Sequence, residues 1–279
     1  MKKKPAREIK RPVRKPTRHG GAATGDVASG DVASGADSTR SARSSRADST
    51  RSARSSRADA VLARLRKLGS ERHRQGMLRF RITIDRAVGI NAPTLRALAK
   101  ELGRDHALAC ALWESGVHEA RHVAIMTADP ERMSRAAMKR WAKDCDSWDL
   151  TDDLCGTLLD KSKHAVIAVR EWSGDKHVWV RRAAFALIAG LAVHDKQMPD
   201  EVFESFLPLI ESAAADDRHW VKKGVNWALR QIGKRNRRLM GLAIACGERV
   251  RAQGHSSARW IAADALRELR SKAAARGWD

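Results

Sequence analysis

The sequence predicts an all-α chain of stacked helical repeats, and three observations carry that prediction. From Ala58 onward, apolar residues recur with helical spacing between short breaks. The one strand-like alternation, Phe80-Arg-Ile-Thr-Ile84, is too short to make a sheet. A single theme of small apolar residues following a basic one returns at 119–128 (EARHVAIMTA), 180–190 (VRRAAFALIAG), 221–233 (VKKGVNWALRQIG) and 258–269 (ARWIAADALREL). Small residues let neighbouring helices approach while Leu, Ile and Val fill between them, and a period of roughly 40 residues matches HEAT-type arrays. On that period the stretch 58–279 holds about five or six helix pairs, giving a curved HEAT-like helical-repeat solenoid, an α-α superhelix.

Along the chain, residues 1–57 come first and carry two tandem duplications, GDVAS at 25–29 and 30–34 and ADSTRSARSSR at 36–46 and 47–57. Such tracts bury almost nothing apolar, so a disordered basic arm is expected, with residues 58–279 forming the folded domain. Helix starts are signalled at Asn91, before Ala-Pro-Thr-Leu, and at Asp129, before Pro130 and Glu131. The four cysteines, Cys110, Cys145, Cys155 and Cys246, form no C-x-x-C pair, so reduced and mostly buried thiols are expected.

Fifty-four Lys and Arg against thirty-three Asp and Glu give a net charge of +21, of which the first 57 residues carry +10. The remaining chain is basic in its own right and should be drawn to a polyanion, nucleic acid or an acidic membrane surface, between which charge alone does not choose. No stretch approaches the ~20 apolar residues of a membrane span. A soluble cytoplasmic protein, associated with the nucleoid through DNA, without membrane partners and monomeric, is the expectation.

Two constellations could carry chemistry. His118-Glu119-Ala120-Arg121-His122 has the H-E-x-x-H pattern of zinc peptidases, but the following residues offer neither a G-x-x-H continuation nor a downstream third ligand. No metal is therefore expected there, and the pair is read as surface or inter-helix histidines.

The second constellation is spread over three helices. Trp148 and Asp152 are four apart and share a helix face; His177-Val-Trp179-Val-Arg-Arg182-Ala-Ala184 follows, and then Trp220-Val-Lys-Lys-Gly-Val-Asn-Trp227-Ala-Leu-Arg230. These W-D-x-x-D, W-x-x-R-A-A and K-x-x-x-W-x-L-R units resemble, in order and separation, the DNA alkylation repair enzymes of the AlkD type, which are HEAT-like-repeat DNA glycosylases. The resemblance covers most of 58–279. It implies that Trp148 and Trp227 flank the deoxyribose of a lesion, that Asp152 faces the glycosidic carbon and that Arg182 secures the adjacent phosphate. It also implies a substrate, cationic N3- or N7-alkylated purines in duplex DNA, removed without base flipping and without metal or organic cofactor.

Arg181, Lys222, Lys223, Arg230, Lys234 and Arg235 lie on the segments that would line the concave face and are read as phosphate contacts, which position a duplex without reading its sequence. Each of these residues also has a plainer role open to it. Tryptophan in a helical repeat is usually core, Asp152 suits a helix N-terminus, and Arg182 could pair with a neighbouring carboxylate. Besides the glycosylase, the sequence leaves room for a non-catalytic binder of distorted or branched DNA, a protein-binding scaffold and a zinc hydrolase using His118 and His122.

Overall fold

The structure, a computed structural model, describes residues 56–278. All but the last two residues of the 1–57 arm lie outside the described residues. Within 56–278 the chain is helical throughout, with no strand. The helices are α1 (56–68), α2 (Glu71–Met77), α3 (Ala92–Leu102), α4 (His106–Glu114), α5 (His118–Thr127), α6 (Arg135–Asp144), α7 (Trp148–Asp153), α8 (Ala165–Trp172), α9 (Val178–His194), α10 (Asp200–Glu204), α11 (Leu207–Ala213), α12 (His219–Gly233), α13 (Arg237–Ala252) and α14 (Ser256–Ala275).

Local sequence accounts for their starts. The Asn91 side chain accepts the Thr94 N–H at 3.0 Å, and Asp105, Ser134 and Asn236 cap α4, α6 and α13 in the same way. Asp129 is also a cap, but of a single 3-10 turn, Pro130–Arg132. Met133 is extended after that turn, and Ser134 must start the true helix.

Packing follows the repeat theme. Helices α5, α7, α9, α12 and α14 form a row in which each packs on the next, with α4 against α5, α8 against α9 and α13 against α12 and α14. Helix α9 is the centre of the row. It is apolar on nearly every side from Ala183 to Ala192, and a helix of that pattern is stable only when surrounded, so all of those residues are buried. Helix α12 is two-sided: Val221, Val225, Ala228, Leu229 and Ile232 are buried, whereas Lys223 is exposed and Trp227 and Arg230 are half-buried on an adjoining stripe.

The tryptophans divide into two groups. Trp113 and Trp141 stack at 4.2 Å in the core, and Trp172 is equally buried. Trp179, Trp220 and Trp260 instead recur about every 40 residues at the starts of α9, α12 and α14 and are not fully buried. Trp179 and Trp220 lie 6.2 Å apart as a stacked pair. No helix among the described residues is long and apolar enough to cross a membrane.

The H-E-x-x-H segment forms the first turns of α5. The carboxylate of Glu119, 1% exposed, accepts the backbone N–H groups of Val88, Gly89 and Ile90 at 2.8, 2.7 and 3.3 Å. Gly89 has φ +83°, and a Cβ there would sit 2.2 Å from the Ser70 carbonyl oxygen, so glycine is required to present these amides. Glu119 is thus a structural anchor for the loop after α2. Replacing it by glutamine should destabilise the fold by about 2–3 kcal/mol, because one buried charge-assisted acceptor is exchanged for a donor facing other donors; chemical denaturation of Glu119→Gln reads this directly.

Candidate active site and nucleic-acid interface

Helix α7 is one and a half turns long and carries polar pairs on two adjacent faces. Trp148 and Asp152 point one way, towards α9 and α12, and Asp149 and Asp153 point another, towards α5. Buried Leu150 and Thr151 hold the helix from beneath. A π-helical turn, Leu154–Leu158, follows immediately, the kind of widened turn that concentrates at functional sites.

The first face opens into a cleft of about 520 Å³. Trp148 and Asp152 of α7, Arg182 of α9, and Trp227 of α12 all border it, so the four residues singled out for chemistry converge from three helices. Trp148 is oriented by its indole N–H, which donates to the Phe80 carbonyl at 2.8 Å.

Arg182 meets Asp152 in a two-pronged pair, Nε to Oδ1 at 3.0 Å and Nη2 to Oδ2 at 2.8 Å, and a third donor, Nη1, reaches the Trp220 carbonyl at 2.7 Å. The Arg182 side chain is 6% exposed and that of Asp152 is 19%. Three of the five guanidinium N–H groups are therefore used internally, and two remain for a ligand in the cleft. Burial pushes the Asp152 carboxyl above its ordinary range, with the Arg182 charge and hydrogen bonds pulling against it.

Four residues that sequence reasoning missed, Arg79, Phe80, Arg81 and His219, complete the cleft wall together with Trp220, which opens the third unit of the constellation. Phe80 is 63% exposed, an unusual state for phenylalanine, and sits between two arginines at the rim. Their segment held only the short alternation noted above. In the structure a 3-10 turn ends at Phe80, and Arg81 takes a left-handed conformation with φ 57°. The available signal was the R-F-R triplet itself, an aromatic flanked by cations.

His219 packs edge-on against Trp220 at 4.6 Å. Burial holds its pKa below the ordinary value, and so do the surrounding charges of Lys223, Arg81, Lys222 and Arg182. The cleft is rich in cations: Arg79, Arg81, Arg182, Lys223 and Arg230 face a single carboxylate.

The six residues read as phosphate contacts divide. Lys223 and Arg230 line the cleft, Lys223 exposed and Arg230 ion-paired with Glu268. The other four do not border it. Arg181 pairs with buried Asp216 at 2.9 Å, Lys222 lies 5.4 Å over the Trp260 ring, and Lys234 pairs with Glu268 at 2.8 Å. Arg235 departs furthest from the expectation. It donates to the carbonyls of Ala192, Asp195 and Met198 at 3.0, 2.7 and 3.1 Å and stacks over Phe203, which commits it to closing the end of α9.

The family model described as DNA alkylation repair enzyme matches residues 61–269, three quarters of the chain and every residue of the cleft. The chain belongs to that family. A solved structure similar to this member of the family is described as "a new family of proteins related to the HEAT-like repeat DNA glycosylases with affinity for branched DNA structures". It aligns with a TM-score of 0.60 and 21% identity over 68% of this chain and 82% of that one. The likeness establishes the HEAT-like fold. No curated protein matches the sequence significantly.

Proposed function

We propose that this family member is a DNA glycosylase that binds duplex DNA across the cation-rimmed cleft and hydrolyses the N-glycosidic bond of cationic N3- or N7-alkylated purines, leaving an abasic site. The observation that carries this reading is the carboxylate of Asp152 set among Trp148, Trp220 and Trp227 on an otherwise positive surface.

The chemistry asks for little else. The bond from C1′ to the base nitrogen breaks, its electron pair leaves with the base, and the base's positive charge is thereby discharged. What remains is an oxocarbenium-like sugar, to which water adds at C1′ with loss of a proton. A carboxylate and the electron-rich faces of tryptophans stabilise the sugar cation, and a base that departs as a neutral species needs no strong general acid. Arg182, Lys223 and Arg79 are positioned for the flanking phosphates, and exposed Phe80 is available to pack against unstacked sugar or base at the lesion.

Lys223 gives a clean test of the DNA contact. Replacing it by glutamine should weaken duplex binding uniformly across sequences and lower the slope of log K against log salt by about 1. A titration by fluorescence anisotropy at several salt concentrations measures both.

A second reading has one observation in its favour. The two-pronged Arg182–Asp152 pair leaves the carboxylate partly neutralised, as suits a residue that shapes a binding surface for distorted or branched DNA without catalysis. The deciding experiment incubates the protein with methylated duplex DNA and follows release of 7-methylguanine and 3-methyladenine. Release supports the glycosylase. Its absence, with tight binding to a four-way junction, establishes the second reading.

A further inference from the structure

The other polar face of α7 meets the histidines that sequence analysis set aside. His118 Nε2 lies 3.1 Å from Asp149 Oδ2 and 3.2 Å from His122 Nε2, and the third edge of this triangle, His122 Nε2 to Asp149 Oδ2, is 3.5 Å. Three ligands around a tetrahedral zinc ion, with bonds of 2.0–2.1 Å, stand about 3.3 Å apart. We propose that His118, His122 and Asp149 form a binding site for a divalent transition metal, Zn²⁺ being the best match, that clamps α5 to α7.

No single arrangement of protons gives all three edges of the triangle a hydrogen bond. A proton on His122 Nε2 directed at His118 leaves the Asp149 and His118 lone pairs facing each other. Protons on both imidazoles directed at Asp149 leave two N–H groups facing across 3.2 Å. A cation at the centre meets all three lone pairs at once. His118 is 5% exposed, so its Nε2 must find its partner inside the cluster.

The outer contacts also have the form of a metal centre. His122 Nδ1 donates to Asp153 Oδ2 at 2.6 Å, and the Thr157 hydroxyl donates to Asp153 Oδ1 at 2.6 Å. A carboxylate behind an imidazole fixes the tautomer that leaves Nε2 free for the metal. His122 and Asp153 also border a cavity of about 470 Å³ with Met126 and Thr157, so this side of the cluster is reachable from outside.

The third ligand that the H-E-x-x-H motif lacked downstream comes instead from the adjoining element, one residue past Trp148. Glu119, bound to three amides, is not free to act as a base, so the site is a clamp and not a peptidase centre. Two imidazoles and one carboxylate select zinc and its neighbours over Mg²⁺ and Ca²⁺.

The test uses the full chain, stripped with chelator and kept reduced. Zn²⁺ should bind at one equivalent and raise the melting temperature by roughly 5–10 °C at a hundredfold excess over its Kd. Co²⁺ in its place should give the visible absorption of a four-coordinate site. His122→Gln and Asp149→Asn should each abolish both effects, and Asp153→Asn should weaken binding about 10–100-fold. Should His122→Gln fail to fold, Asp149→Asn decides. Absence of stoichiometric binding overturns the proposal. Unchanged binding in these variants, or binding abolished only by thiol blocking, also overturns it.

Discussion

Asp152→Asn is expected to slow release of 7-methylguanine from methylated duplex by about a hundredfold to a thousandfold while changing affinity for undamaged duplex little. At about 4 Å and an effective dielectric near 20, a carboxylate opposite a unit positive charge is worth roughly 4 kcal/mol, about a thousandfold in rate. The Arg182 fork offsets part of that, which sets the lower figure. Asparagine keeps the size and one acceptor, so the loss reports charge and not shape.

The pH dependence of wild-type release offers an independent check. Only the ionised carboxylate stabilises a cation, and burial raises the pKa of Asp152. The rate should therefore fall as pH drops through a value above the ~4 of an ordinary aspartate, and this limb should vanish in Asp152→Asn. Single-turnover rates across the acid range measure it. Wild-type release that survives Asp152→Asn undiminished would place the chemistry elsewhere.

The second large effect is on stability. Arg182→Met removes the counter-charge from a carboxylate that is mostly buried and strips the Trp220 carbonyl of its donor. Breaking one side of such a pair costs about 3–5 kcal/mol, or a melting temperature lower by roughly 10 °C. The double variant Asp152→Leu with Arg182→Met should recover much of that loss, since an apolar pair of similar volume carries no unpaired charge. It should nonetheless release no alkylated base. Stability regained without activity would separate the structural worth of the pair from its chemical one. A double variant as unstable as the single one would show that the Trp220 carbonyl contact dominates.

The sequence made some features legible and concealed others for physical reasons. Helix class and repeat period were readable because burial of α9, α12 and α14 imposes a periodic small-residue pattern on the chain. The set Trp148, Asp152, Arg182 and Trp227 was expected from the resemblance of three motifs to a family, and it meets at one cleft because α7, which carries two of the four, adjoins α9 and α9 adjoins α12. Arg79, Phe80 and Arg81 were not readable, since a 3-10 turn and one left-handed residue set their direction and neither has a periodic signature. Arg235 looked like its neighbours in a basic run. What separates it from Lys223 is the set of carbonyls at the end of α9, some 40 residues away in sequence. The contact of His118 and His122 with Asp149 was not readable either, since it crosses a helix interface some 30 residues away in sequence.

Helix α7 also behaves as an angular index. Successive residues on a helix are about 100° apart, so Asp152 and Asp153 are assigned to the cleft and to the histidines by phase alone. The wide turn at 154–158 holds more residues than an α-turn, and it is where the chain regains the phase that Leu158 and Leu159 need to reach the core. Loss of one residue there would leave composition and charge almost untouched. With the chain after it held in place, each position of α7 would be taken by the residue before it, carrying Asp152 round to the histidine side and leaving Thr151 at the cleft.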